Sequence, residues 1–192
     1  MHMLRCIFAE WLIVRARLLH TRLGMWLVLL TAAFIWAGPP GSLTPLAART
    51  GLLGGVLCIA FAAGARADRV ALRTALGHPT SPLAIAAGRW AGATAAATLS
   101  VTAVVLATGL RDATAPAAVL ASWVVGVTAA ATAAAVTLPV VMAGGNTFAA
   151  LLIACAALSD LGVFLAPSFI YVAGGCAAGG VSLAAGLMAR TR

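Results

Sequence analysis

Residues 83–110 read LAIAAGRWAGATAAATLSVTAVVLATGL and residues 117–142 read AAVLASWVVGVTAAATAAAVTLPVVM, with Arg111, Asp112 and Pro116 in the short gap between them. A helix crosses the hydrocarbon layer with roughly 20 apolar residues. Both runs exceed that length; the first holds a single charge, Arg89, and the second holds none. The stretch predicts two membrane-spanning helices joined by a tight turn.

The rest of the chain has the same character. Of its 192 residues, 63% are hydrophobic and 8% are charged, and the mean hydropathy is +1.08. Soluble domains run nearer half apolar and a quarter charged, which argues against a cytosolic enzyme or a nucleic-acid binder. A chain of this length holds about six spans with short loops. No segment is left over for a soluble catalytic domain.

Upstream, a span over 23–38 stops at Pro39-Pro40-Gly41, and a second begins at Leu46 or Gly51 and ends at Ala65. Residues 66–82 form the longest polar interruption, with Arg66, Asp68, Arg69, Arg73 and His78. Downstream, Gly144-Gly145-Asn146 turns into a fifth span over 147–158, and a sixth covers 170–188. The expected fold is therefore an all-α integral membrane protein, one transmembrane domain over 1–192 with six transmembrane helices within 23–188. Small residues recur four apart at Gly51/Gly55, Ala60/Gly64, Gly88/Gly92, Gly175/Gly179 and Ser182/Gly186. Such pairs let helices approach closely in lipid, although a composition rich in Ala and Gly also produces them by chance.

Residues 1–22 differ from the spans. Ile7, Trp11, Val14 and Leu18 share one helical face, while Glu10, Arg17 and His20 lie on the other. Arg15 stands near the apolar flank, where its stem can snorkel. The pattern fits an amphipathic interfacial helix lying on the membrane; the alternative is the charged flank of the first span. A signal peptide fits poorly, because the charged region is too long.

Arginine sets the orientation. With a cytoplasmic N-terminus, ten Arg fall on the inner side and only Arg49 and Arg111 on the outer side. Basic loops stay inside, so both termini and the 66–82 loop are expected in the cytoplasm, the membrane being the cytoplasmic (inner) membrane of a bacterium. The same clustering beside spans accounts for the net charge of +8 without nucleic acid.

All twelve basic residues are Arg. Without Lys there is no phosphate-binding P-loop and no Schiff-base chemistry, so the chain is not expected to be an enzyme. Cys6, Cys58, Cys155 and Cys176 lie far apart without a CxxC pair, and His2, His20 and His78 fall outside the strongly apolar segments. A metal site, a bis-His haem site or an intramembrane protease has little support, and no cofactor is expected in this chain.

The layout resembles the membrane subunit of a type-2 ABC-transporter permease. A basic amphipathic helix precedes six spans. The loop between spans two and three reads His78-Pro79-Thr80-Ser81-Pro82 and is followed by Gly88-Arg89, similar to the family's Pro-x-Ser element and the Gly-Lys/Arg that opens its third span. A broken segment, 159–170 with Gly162 and Pro167, separates the last two spans. The six-span haem-exporter permease of cytochrome c maturation has a similar architecture, which leaves haem as a possible substrate only.

The resemblance implies a coupling loop over 66–82, with Arg69, Arg73, His78, Pro79 and Ser81 meeting a cytoplasmic ATP-binding subunit that carries ATP and Mg. It also implies a homodimer, or a heterodimer with a related permease, in the lipid bilayer. Independently of the family, residues 68–76 can form about two helical turns that Pro79 stops, a short lever for a partner to push; a solvated loop anchored by Arg is the alternative.

Asp160 sits in the apolar C-terminal part of the chain. A carboxylate in lipid points to function, and near the outer end of a short span it caps a re-entrant helix or serves as a proton relay. Together Asp160, Gly162 and Pro167 are the expected outer gate. Three functions follow: an ABC permease exporting an apolar or amphipathic molecule, a structural or assembly subunit of a larger membrane complex, and an autonomous proton-coupled transporter.

Overall fold

The computed structural model describes residues 8, 9, 11–13, 16, 29, 31–33, 35, 36, 43–63, 81–143 and 169–190. Four helices are laid out in full: α1 (Leu43–Ala63), α2 (Pro82–Arg111), α3 (Pro116–Met142) and α4 (Phe169–Arg190). The described residues before position 43 are also helical, and no strand occurs among the described residues. Among the described residues, three segments are long and apolar enough to cross a membrane: Leu43–Ala60, Pro82–Arg111 and Pro116–Met142.

Proline sets where two of these helices begin. α2 and α3 each start one residue ahead of the expected span, on Pro82 and Pro116. Proline suits a first helical position because its missing N–H would have had no partner there. Before them, Ser81 and Ala115 are extended, and their carbonyls accept the first helical amides, Ala84 and Ile85 on Ser81, Ala118 and Val119 on Ala115. α1 starts at Leu43, ahead of the expected Leu46 or Gly51, and tolerates Pro45 because that residue lies in the first turn. It ends at Ala63 rather than Ala65. α4 extends one residue before and two residues beyond the expected 170–188.

The expected turn after Arg111 has a defined geometry. The Thr114 amide donates to the Gly109 carbonyl at 2.9 Å and the Ala113 amide to Leu110 at 3.4 Å, the paired bonds of a Schellman cap. Ala113 occupies the left-handed position, with φ 47°, where glycine is the usual residue.

Helix directions follow from matched levels. Thr44 of α1 is hydrogen-bonded to Ser122 of α3 at 2.7 Å. Gly51 rests on the Gly126 carbonyl and Gly55 on the Ala130 carbonyl, so the two helices run parallel. α2 runs antiparallel to them: Leu43 and Ala47 share a buried cluster with Val101 and Val105, and Gly54 lies on Ala97. Ala173, early in α4, packs with Ala129 and Ala133, while Met188, near its end, packs with Leu138 and Val141. α4 therefore runs parallel to α3. One end of the bundle holds the start of α1 and the 111–116 turn; the other holds the ends of α1, α3 and α4 and the start of α2.

Missing side chains make the closest contacts. A Cβ on Gly126 would stand 2.5 Å from Val101 Cγ1 and 2.9 Å from the Ala47 carbonyl oxygen, so neither neighbouring helix leaves room for one. Gly180 of α4 lies against the Ala135 carbonyl. Pro139, inside α3, has no N–H to give that carbonyl four residues back, and a glycine Cα–H is a suitable weak substitute donor. Of the expected small-residue pairs, Gly51/Gly55 forms an interhelical contact. Gly175, Gly179 and Gly186 face open space instead, with Ser182 exposed beside them.

Candidate functional site

The expected site residues fall mostly outside the described residues: Arg69, Arg73, His78 and Pro79 of the coupling loop, Asp160, Gly162 and Pro167 of the outer gate, and Arg15 and Arg17 of the interfacial helix. Trp11 is described, half-buried and stacked on Phe8 with ring centroids 5.7 Å apart. Phe8, Leu12 and Ile13 around it are exposed. Ser81 is exposed, and it caps α2 through its backbone carbonyl rather than its hydroxyl.

Arg89, two turns into α2, is only 6% exposed. Expected near the start of a span and counted with the inner-side arginines, it lies inside the bundle, where Nη1 donates to Met142 Sδ at 4.0 Å. The reason is helical phase. Ile85 and Ala86, on the turn before, are core residues, and Met142 at the end of α3 reaches the same level. A guanidinium inside a membrane bundle is costly, and here it bridges the start of α2 to the end of α3.

Two tryptophans tie α2 to α3. Trp90 Nε1 donates to the Ala131 carbonyl at 2.9 Å, and Trp123 Nε1 donates to Thr102 Oγ1 at 2.9 Å. The Thr102 hydroxyl in turn donates to the Thr98 carbonyl, and Thr98 to Thr94, each at 2.8 Å. Donation to the carbonyl one turn back satisfies a hydroxyl within its own helix, and Thr128, Thr132 and Thr137 do the same on α3. The hydroxyls of Thr94 and Thr108 are buried without a partner.

Between the Trp123 contact and the turn, α2 and α3 touch where Gly109 meets Val119, a Cβ there lying 3.0 Å from Val119 Cγ2, and beside this contact lies a groove of about 430 Å³. Val105, Leu106 and Leu110 form one wall; Val119, Leu120 and Trp123 form the other. Gly109 and Thr114, the ends of the capping bond, close it. Sequence reasoning did not single out this groove. The available signal was Trp123 facing the level of Thr102 once 111–116 is read as a turn.

Arg111 organises the same end. Its Nε and Nη2 donate to the Asp112 carboxylate at 2.8 and 3.4 Å, and Nη1 donates to the Ile35 carbonyl at 3.2 Å. Cys58 is a buried free thiol and Cys176 a half-buried one. Among the described residues, no three His, Cys, Asp or Glu gather as a metal site.

The class defined by these features is a protein whose described residues are all-helical apart from turns, with three helices among them long and apolar enough to cross a membrane. No family model, curated protein or solved structure matches it.

Proposed function

We propose that the chain is the membrane-spanning permease subunit of an ABC transporter, with six spans, an interfacial N-terminal helix and both termini in the bacterial cytoplasm. It pairs with a second permease, itself or a relative, and a separate ATPase drives export of an apolar or amphipathic molecule. One observation carries this reading: α1, α3 and α4 run in one direction and α2 in the other. That arrangement suits spans two, four, six and three of an alternating six-span bundle. The end of α1, the start of α2 with Arg89 and the end of α4 with Arg190 share one end of the bundle, which suits a cytoplasmic face that meets a partner.

The test is purification from the native membrane in mild detergent, with partner identification and ATP turnover. An ATPase should co-purify with the wild type and be lost from Arg73→Glu, where a forked attraction for a carboxylate becomes repulsion. Stable recovery in a large complex without any ATPase would replace this reading with a structural subunit. Proton-driven flux by the chain alone would replace it with an autonomous transporter.

A further inference from the structure

We propose that the groove between α2 and α3 holds one acyl chain of a zwitterionic phospholipid, with the headgroup seated on Arg111 and Asp112. The proposal needs α2 and α3 in the membrane but does not need the ATPase.

The walls set the chemistry of the occupant. Val105, Leu106, Leu110, Val119 and Leu120 are apolar, and Thr102 and Trp123 spend their polar atoms on each other and on the Thr98 carbonyl. These groups leave an entering molecule little to bind beyond hydrocarbon. The volume of about 430 Å³ falls within the range of small-molecule sites. One turn of a helix about 10 Å across and 5.4 Å long already fills about 420 Å³, so the groove takes in no helical segment longer than a turn, whereas its volume suits a single slim chain. Leu106, Leu110 and Leu120 are exposed at the mouth, so the groove opens where hydrocarbon lies.

The rim supplies the complementary charge. Leu110 and Thr114 line the groove, and Arg111 and Asp112 stand between them in sequence, paired at 2.8 Å with side chains 37% and 13% exposed. A guanidinium beside a carboxylate offers each sign once, matching the phosphate and ammonium of phosphatidylethanolamine. The bond from Arg111 to the Ile35 carbonyl holds the pair in place.

The experiment uses the purified full-length chain in nanodiscs that carry a phosphatidylethanolamine with a photoreactive diazirine on its acyl chain, read by peptide mass spectrometry. Labelling should concentrate on 102–123 over the exposed Leu183 of α4. Unlabelled phosphatidylethanolamine should compete better than phosphatidylglycerol. Leu106→Trp, which fills the mouth, should lower groove labelling about tenfold, the worth of about two buried methylenes, and leave Leu183 unchanged. Leu120→Trp should repeat this from the other wall. Equal labelling of groove and Leu183 without competition would reduce the groove to ordinary lipid contact and overturn the proposal. So would dimer crosslinks from a photoreactive leucine placed at position 106 of the chain, which would make a second copy the occupant. Neither result touches the ATPase reading, which has its own assay.

Discussion

α3 meets α1 and α2 in two different ways. Against α1 its closest contacts are glycine on backbone, Gly51 on the Gly126 carbonyl and Gly55 on the Ala130 carbonyl, flanked by Leu52 and Val56 on Ala129 and Ala133. Against α2 it uses its largest side chain, Trp123, with Trp90 answering from α2, and a groove of about 430 Å³ remains beside the Trp123 tie. Water drives neither contact, since lipid solvates apolar side chains as well as a protein interior does. The first contact gains dispersion over a continuous surface. The second gains directed hydrogen bonds at two points and leaves space between. A close-packed contact suits a fixed part of a bundle, and a tied but open one suits a binding surface.

The sharpest way to break that contrast is Gly126→Leu. Its side chain would have to pass between Val101 and the Ala47 carbonyl, and backbone cannot yield as a flexible side chain can. The expected loss is about 3 kcal/mol or more, at the upper end of overpacking effects. It should appear as a collapse of the unfolding midpoint in detergent, whereas Leu at the open Gly179 should change it little. Equal effects at the two glycines would dissolve the distinction between closed and open faces.

Trp123→Phe tests the other contact. A six-membered aromatic ring is kept, the nitrogen-bearing five-membered ring and its bond to Thr102 are lost, and the Thr102 hydroxyl keeps its own acceptor at Thr98. Because no donor is orphaned, the bond itself costs about 1 kcal/mol, and the smaller ring adds about 1 kcal/mol of lost apolar burial, measured by reversible unfolding in mixed micelles. A loss as large as that of Gly126→Leu would mean that α2 and α3 depend on the tie for all their adhesion.

This contrast also separates what the sequence makes legible from what it does not. α2 and α3 were readable to within one residue because long apolar runs need no partner to be recognised, and Pro82 and Pro116 mark their starts. Gly51 and Gly55 were readable as a spacing. Gly126 and Gly180 were not, because each matters for the carbonyl or side chain it meets on another helix, and no pattern within one helix encodes that. Arg89 shows the same limit: its place near the start of a span says nothing of its neighbour Met142, 53 residues away. The groove was least legible of all, since it depends on how two helices meet. The residues expected to meet the ATPase and form the outer gate, Ser81 apart, lie outside the described residues, so their roles rest on the resemblance and on their chemistry.

The smallest expected effect belongs to Thr44→Val. Thr44 and Ser122 share the one side-chain hydrogen bond described between α1 and α3, at 2.7 Å, and it looks like a lock on their register. Two facts argue that it is a weak one. Bonds of this kind between membrane helices average about 0.6 kcal/mol, because each partner finds another acceptor when the first is removed. Ser122, buried at 1% exposure, has such an alternative in the carbonyl one turn back, the arrangement that Thr98, Thr102 and Thr128 already use. Valine keeps the branched shape of threonine, so packing near the start of α1 is preserved. The substitution should therefore cost about 0.6 kcal/mol or less, and a double-mutant cycle with Ser122→Ala should return a coupling of the same size. A coupling several times larger would mean that the hydroxyl pair, and not the Gly51–Gly126 contact, sets the register of α1 on α3.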